Sequence, residues 1–197
     1  MNEAHLYGRP YLLARRDWRR EIAYKQDAQK IMERKPDMQS IFDIGGEYGQ
    51  FGEHFGCTYW CYDPYTEFNL LPPHGMSFDV VVFRGVLQHI YNPVVMLQEA
   101  HARLERGGLL AILATPDTDS IGYLRWGTLP ALDAPRNWIP FGHRMLRNIL
   151  ERLQYSAIEF CHPYGYPYAS PLKDLWNFVI GKPTAFPGNM MECFARK

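Results

Sequence analysis

Short apolar runs alternate with stretches of helical periodicity over most of the chain. The runs predict strands at 40–44, 58–62, 78–83, 109–114, 157–161 and 191–196. The helical stretches lie at 12–34, from 93 to the glycine pair at 107–108, at 143–153 and at 171–180. Strands that alternate with helices in this way imply right-handed crossovers. The pattern therefore predicts an α/β fold with a doubly wound, mostly parallel sheet between two helical layers and an antiparallel final edge strand.

The first helical stretch has an apolar face and a strongly basic remainder. Trp18, Ile22 and Ile31 are predicted to lie on or near one face of this helix. The arginines are Arg15, Arg16, Arg19 and Arg20. They are interpreted as a solvated surface, and the alternative is a docking patch for a phosphorylated substrate.

The stretch 41–52, IFDIGGEYGQFG, runs from the first predicted strand into a glycine turn. A short helix is predicted to follow at 47–55 and to end at Gly56 in the left-handed conformation. A strand that leads through glycines into a helix leaves backbone N–H groups pointing at one spot, where the polar end of a nucleotide-like ligand can bind. The alternative is an ordinary strand–turn–helix corner.

Asp63 supports the ligand hypothesis. It follows the second predicted strand, 20 positions after Asp43 (63 − 43 = 20). An acid at this place in a nucleotide-binding βαβ unit accepts hydrogen bonds from ribose hydroxyl groups. A turn formed by Asp63 and Pro64 is the other interpretation, but the spacing from the glycine turn favours the ligand.

Composition narrows the functional classes. The 197 residues suit a single domain, and 47% hydrophobic with 21% charged residues argues against a disordered or membrane protein. The formal net charge is zero, which disfavours nucleic acid as a partner. No secretory signal is recognised at the amino terminus, and no run is long enough to span a membrane. The four cysteines form no C-x-x-C pair, so we expect reduced thiols, a cytoplasmic protein and no metal site.

Three blocks of sequence resemble the class I S-adenosylmethionine-dependent methyltransferases, in particular compact bacterial enzymes that act on small molecules. The blocks are IFDIGGEYGQFG followed by YDP, the run FDVVVFRGVLQHIYNPVVMLQEAHARLERGGLLAILATPD, and PRNWIPFGHRMLRNILERLQYSAIEF. The resemblance implies a Rossmann-like fold and one methyltransferase-like domain over 1–197. Within it, 1–36 would form an arm and helix, 37–116 the cofactor-binding core, and 117–197 the substrate-side lid and last strands.

The resemblance also implies S-adenosyl-L-methionine as cofactor and a small-molecule acceptor, with neither nucleic acid nor a membrane as partner. The sequence does not fix the oligomeric state.

 The sites it implies are Asp43, Gly45, Gly46, Glu47, Gly49, Asp63, Pro64, Phe83, Arg84 and Gly85. In this scheme the glycines shape the loop around the methionine part, Asp43 orients that loop or holds the ammonium, and Asp63 binds the ribose. The stretch from Phe83 to Gly85 would pass beside the adenine and the sulfonium.

Two departures from the family pattern stand out. Glu47 occupies a position where the family usually has glycine, so an extra negative charge faces the cofactor region. It could pair with the cofactor ammonium, point to solvent and cap the helix amides, or mark a protein that no longer binds the cofactor. The stretch between Asp63 and Phe78 is also too short for the family's third strand and the acid that follows it.

Methyl transfer to a hydroxyl group, of a sugar or a secondary metabolite, is the expected reaction. His89 is the first candidate for the general base, although it could instead bond a backbone carbonyl. His143 and His162 lie in late segments that could form the acceptor side, and the aromatic segments 126–141 and 160–168 could form a lid or pack as core. The competing classes are a non-catalytic, methyltransferase-like binding or regulatory subunit and a nucleotide- or sugar-nucleotide-modifying α/β enzyme of different chemistry.

Overall fold

Six strands and five α-helices make up the structure, a computed structural model that describes residues 18–64, 70–132, 136–163, 170–184 and 188–197. The strands are β1 (Ser40–Ile44), β2 (Thr58–Tyr62), β3 (Phe78–Arg84), β4 (Leu104–Pro116), β5 (Ser156–Cys161) and β6 (Met190–Arg196). The helices are α1 (Trp18–Arg34), α2 (Pro93–Arg103), α3 (Ile121–Trp126), α4 (His143–Arg152) and α5 (Pro171–Val179). Two short 3₁₀ turns lie at Gln50–His54 and Leu87–His89.

The strands form one sheet in the order β2-β1-β3-β4-β6-β5. The first four positions pair in parallel, and β6 is antiparallel to both of its neighbours. The predicted doubly wound, mostly parallel sheet with an antiparallel final strand is confirmed. The final strand β6 lies one position in from the margin, between β4 and β5.

Alternate residues of β3 belong to hydrophobic cores on opposite faces of the sheet. Val81 and Phe83 pack in one core with Leu97 of α2, whereas Val80 and Val82 pack in the other with Ile31 of α1. All six side chains are fully buried. A strand that is apolar on both faces requires helices on both sides, which is the three-layer arrangement.

The apolar face of α1 differs from the prediction. Ile31 is fully buried as expected, but Trp18 is 68% exposed and Ile22 is 41% exposed, so the assignment of these two residues was wrong. The buried face instead carries Ala23, Tyr24, Asp27, Ala28 and Ile31. Because polar side chains of α1 make ion pairs beneath the helix, apolar periodicity alone points to the wrong face. The part of the predicted helix before residue 18 lies outside the described residues.

The predicted loss of the third strand agrees with the described part of the connection between β2 and β3. Among residues 63–64 and 70–77 the only pairing is a single antiparallel bridge between Leu70 and Cys61. β2 therefore forms one margin of the sheet. No helix in the described ranges is long and apolar enough to cross a membrane.

Candidate active site

The carboxyl ends of β1 to β4 meet at one edge of the sheet because these four strands run parallel. Asp43 lies near the end of β1, Asp63 directly follows β2, Gly85 follows β3 and Asp117 follows β4. The chain order reverses at β1, which has β2 on one side and β3 on the other. Ligands of open α/β sheets bind at such a switch point, so this edge is the candidate active site.

The glycine turn after β1 packs too closely for side chains. Gly45 has φ +82°, and a Cβ added there would lie 2.4 Å from the Val86 side chain. A Cβ on Gly46 would lie 2.6 Å from the Cys61 sulfur. The Gly45 N–H donates to the Tyr62 carbonyl at 2.7 Å, which ties the turn to the end of β2. The turn is partly buried and brings main chain rather than glycine side chains to the point where β1 and β2 end.

The helix predicted at 47–55 was wrong in extent. Only the 3₁₀ turn Gln50–His54 forms, and it begins after Gly49, which has φ +75°. Gly56 does not adopt the left-handed conformation, since it is absent from the positive-φ glycines of the described chain. Close packing of Phe51 against Tyr24 of α1, with ring centroids 5.4 Å apart, holds this short turn in place.

Asp43 is a buried carboxylate with an incomplete set of partners. Its side chain is 1% exposed. The Tyr59 hydroxyl donates to Oδ2 at 2.5 Å, while Oδ1 has no hydrogen-bond partner among the described residues. Burial raises the pKa of Asp43 to about 7, although the Tyr59 hydrogen bond and the Arg84 charge act in the opposite direction. The uncompensated oxygen suits a cationic ligand group.

Asp63 and the glycine turn are joined by a hydrogen bond. The Glu47 N–H donates to Asp63 Oδ2 at 3.2 Å. Asp63 is 7% exposed, and Pro64 after it is exposed. The carboxylate predicted to bind the ribose therefore lies beside the turn predicted to hold the methionine part.

Glu47 keeps the backbone conformation of the glycine it replaces. Its φ is +51°, a left-handed value that costs a non-glycine residue roughly 1–2 kcal/mol. Its carboxylate lies 2.7 Å from Arg20 Nη2 of α1, and the two side chains are 13% and 11% exposed. Glu47 therefore does not point to solvent, and Arg20 is not part of a solvated surface. The ion pair balances the extra charge, so the turn still fits the predicted cofactor.

The segment Phe83–Gly85 contributes backbone rather than side chains to this edge. Phe83 is fully buried in the core. Arg84 Nε donates to Asp27 Oδ2 of α1 at 2.9 Å, and its guanidinium lies 4.4 Å from the Tyr24 ring centroid. Gly85 has φ +65°, and its N–H donates to the Leu113 carbonyl at 2.8 Å. A contact of this segment with a ligand would come from its main chain.

His89 lies at the end of the second 3₁₀ turn and is half-buried. Its Nδ1 is 2.8 Å from the Arg136 carbonyl oxygen, which can only accept, so Nδ1 carries the proton. Nε2 is then the acceptor atom of the ring, 3.3 Å from the Gln88 amide nitrogen. The bond to a backbone carbonyl, one of the two interpretations of His89 from the sequence, is therefore present. The role of His89 as a general base stays a prediction, and the tautomer that this bond fixes is compatible with it.

A third group of polar residues surrounds the end of β4, and only its two histidines were singled out from the sequence. Asp117 is fully buried, and His143 Nδ1 and His162 Nε2 each lie 2.8 Å from its Oδ2. Its Oδ1 accepts the N–H groups of Asp119 and His143 at 2.9 and 3.0 Å. The histidines were expected on the acceptor side, but the aspartate that joins them was missed.

Signals for the missed residues are present in the sequence. Asp117 follows a strand end, as Asp63 does, and strand ends at one edge converge. Arg20, Tyr24 and Asp27 recur at helical spacing with Ile31, which places them on one face of α1. Tyr59 lies in β2 next to β1, but no local pattern indicates its bond to Asp43.

Solved structures with the same fold are methyltransferases in several organisms. A SAM-dependent methyltransferase from Archaeoglobus fulgidus is 16% identical, with a TM-score of 0.58 over 91% of this chain and 94% of that protein. The 1,6-didemethyltoxoflavin-N1-methyltransferase of Burkholderia thailandensis is 15% identical, with a TM-score of 0.61 over 95% and 83%. Phosphoethanolamine N-methyltransferase 2 of Haemonchus contortus is 14% identical, with a TM-score of 0.55 over 87% and 52%. At these identities the likeness shows the fold.

The sequence itself matches a protein family over most of its length. Residues 14–159 match the family described as a methyltransferase domain. No curated protein matches the chain in sequence. Together with the fold, the family match confirms the resemblance and the predicted cofactor, S-adenosyl-L-methionine. The chain belongs to the methyltransferase-domain family and is a class I S-adenosylmethionine-dependent methyltransferase.

Proposed function

We infer that this enzyme methylates a hydroxyl group of a small molecule, a sugar or a secondary metabolite, and that His89 is the general base. The observation that carries this inference is the tautomer of His89, whose Nδ1 donates to the Arg136 carbonyl and leaves Nε2 as a proton acceptor. An amine acceptor can be methylated without such a base when it is already neutral, whereas a hydroxyl group benefits from one.

The proposed cofactor site spans the ends of β1 and β2. S-adenosylmethionine, when bound, supplies a methyl group already activated on a sulfonium. Asp43 would hold the ammonium through its unpartnered Oδ1, and Asp63 would accept the ribose hydroxyl groups. The backbone of 45–49 would surround the methionine part, with Pro64 and the main chain of 83–85 at the adenine side. This assignment makes 37–116 the cofactor-binding core and 117–197 the substrate side.

An exposed aromatic pair lies beside His89 and suits a ring-shaped acceptor. Tyr91 is 80% exposed and Trp138 is 43% exposed, with ring centroids 6.1 Å apart in an edge-to-face arrangement. The backbone N–H of Trp138 donates to the Gln88 carbonyl at 2.9 Å, which holds the segment around Trp138 against the 3₁₀ turn that carries His89. Aromatic faces stack on sugar rings and planar metabolites. Stacking here would bring a hydroxyl group within reach of the histidine.

The net charge and the cysteines support the remaining parts of the proposal, the class of substrate and a cytoplasmic location. Zero net charge supports a small-molecule substrate rather than nucleic acid. All four cysteines are free, as a reducing cytoplasm requires.

The test is a methyl-transfer assay with a panel of sugar, phenol and amine acceptors, preceded by calorimetry with S-adenosylhomocysteine. We expect one molecule of S-adenosylhomocysteine to bind per chain and oxygen to be methylated. His89→Ala should lower the rate of methyl transfer about a hundredfold while the affinity for S-adenosylhomocysteine stays the same, because only the base is lost. His101→Ala, which changes a histidine packed against Tyr155 with ring centroids 4.8 Å apart, is the matched control.

Two outcomes would contradict the proposal. Methylation of amines alone would exclude the hydroxyl acceptor. A His89→Ala rate within about twofold of the unmodified enzyme would exclude the histidine as base.

A further inference from the structure

The cluster of Asp117, His143 and His162 draws its three side chains from three separate parts of the chain. Asp117 follows β4, His143 is the first residue of α4, and His162 follows β5. One ligand atom from each lies within 4.8 Å of the other two. Such convergence of two imidazoles and a carboxylate has no role in the cofactor site, which lies at the ends of β1 and β2.

The backbone holds each of the three side chains in position. The Asp117 N–H donates to the Asn189 carbonyl at 2.8 Å, and its Oδ1 caps α4 through the His143 N–H. Gly188, with φ +126°, allows the chain to pass close to His162, since a Cβ there would lie 2.8 Å from the His162 carbonyl oxygen. A pre-formed ligand set of this kind needs little reorganisation to bind an ion.

The geometry matches a metal site better than a catalytic dyad. A base requires one histidine on the carboxylate, whereas here two ring nitrogens are aimed at the same oxygen, each at 2.8 Å. Metal–ligand bonds of about 2.1 Å place neighbouring ligand atoms about 3.0–3.4 Å apart, so small shifts would admit an ion. The rings meet edge to face, 5.1 Å between centroids.

The cluster is closed on one side and open on the other. Asp117 is fully buried, while the His143 and His162 side chains are 33% and 34% exposed. Metal sites that act on substrates have three protein ligands and one open position. Two nitrogen ligands out of three favour zinc and similar transition metals over magnesium or calcium.

We propose that Asp117, His143 and His162 bind one divalent transition-metal ion of the zinc type. The site lies at the same sheet edge as the glycine turn, about 10 Å away across two strand spacings. An ion there would bind oxygen atoms of the acceptor and favour loss of a hydroxyl proton. Only this use of the ion rests on the proposed function; the binding itself does not.

The test titrates Zn²⁺ into the full chain after treatment with a chelator, with no cofactor or acceptor present. We expect one ion per chain, and Co²⁺ in its place should give a visible absorption band. His143→Ala and His162→Ala should each weaken binding at least about tenfold. Both side chains are partly exposed, and the α4 cap uses the backbone N–H of residue 143, so these variants should fold; circular dichroism checks this. His74→Ala, at an exposed histidine between β2 and β3, should bind as the unmodified chain does.

Three results would overturn the proposal. The first is no saturable binding of Zn²⁺, and the second is equal binding in the double variant His143→Ala/His162→Ala, which means an ion bound elsewhere. The third is chelator-resistant methyl transfer that His143→Ala abolishes, which assigns the histidine as a base without a metal. Failure of the proposed function is separate, because it shows in the acceptor panel and not in the zinc titration.

Discussion

Asp43 and Asp117 are two buried carboxylates at the same edge of the sheet, and their surroundings are opposite. Asp43 accepts one hydrogen bond, from Tyr59, and its Oδ1 has no partner among the described residues. Asp117 has two backbone N–H groups on one oxygen and two imidazole nitrogens on the other. The first carboxylate has an oxygen left for a ligand to complete. The second already has protein donors on both oxygens, and these hold the side chains of the proposed metal site in place.

The difference shows how one edge serves two purposes. A buried charge without partners lowers stability, and a bound cation restores what is lost. A buried charge with several donors contributes to the fold, and its removal leaves those donors unpaired. We therefore expect substitutions at the two aspartates to separate binding from stability.

Replacing Asp117 should have the largest effect. Asp117→Ala removes the acceptor of four donor groups, so unfolding should become easier by about 4 kcal/mol, with the melting temperature lower by about 10 °C. Asp43→Ala, the matched variant, should change stability by less than about 1 kcal/mol, because it removes a desolvated carboxylate as well as one hydrogen bond. Thermal and urea unfolding measure both. Equal losses would show that the two environments do not differ as described.

Asp63→Asn should weaken S-adenosylhomocysteine binding about fiftyfold, because hydrogen bonds from the ribose to a charged acceptor become bonds to a neutral one. The variant keeps an oxygen for the Glu47 N–H, so the turn should remain intact. Asp37→Asn, at a side chain that is 73% exposed, is the control and should bind normally. Calorimetry measures the affinity, and an unchanged Asp63→Asn would remove this residue from the cofactor site.

Asp43 should make cofactor binding depend on pH. The pKa of its carboxyl is raised by burial from 3.8 to about 7, so the group loses its proton near neutrality and an ammonium then binds better. The affinity for S-adenosylhomocysteine should rise up to about tenfold as pH increases from about 6 to about 7. In the free protein the raised pKa stabilises the fold below about pH 4, and this stabilisation declines as pH rises to about 7. Asp43→Asn should abolish both pH dependences, that of the affinity and that of the stability. Calorimetry across this pH range measures the affinity, and a pH dependence that persists in the variant would contradict the assignment to Asp43.

Glu47 should show the smallest effect, one of backbone strain. Glu47→Gly and Glu47→Ala both remove the Arg20 ion pair, so the difference between them isolates the cost of a φ of +51°. Glycine should be more stable than alanine here by about 1 kcal/mol. At Lys25, an exposed position inside α1, alanine should instead be more stable than glycine by a similar amount. Urea unfolding of the four variants measures these differences. Equal free energies of unfolding for the alanine and glycine variants at position 47 would exclude the backbone strain.

The sheet was predictable because its strands are buried on both faces and read as continuous apolar runs. β1 and β2 have the predicted ends, and Asn92 begins α2 by accepting the Val95 N–H. β4 is longer than predicted, since it starts at Leu104 and continues through the glycine pair. The glycines indicate a stop in a helix, but Gly107 bonds the Lys197 carbonyl at 3.1 Å in the sheet. That partner is distant in sequence, and local pattern cannot reveal it.

The site was predictable where chemistry follows strand ends and not where it depends on tertiary pairing. Asp43, the glycine turn and Asp63 come together as predicted. The partner of Glu47 could not be found, because Arg20 lies 27 positions earlier (47 − 20 = 27) on a helix face that hydropathy assigns to solvent. The histidines of the Asp117 cluster were noticed singly, since nothing local joins residues 117, 143 and 162.

The shortened middle of the chain has a consequence for solubility. No third strand pairs with β2 among the described residues, so in that part of the structure the outer side of β2 could accept a strand from another molecule. Its five residues are short, the bridge from Leu70 covers Cys61, and Pro72 and Pro73 follow with no N–H to offer. These features discourage edge-to-edge aggregation at β2.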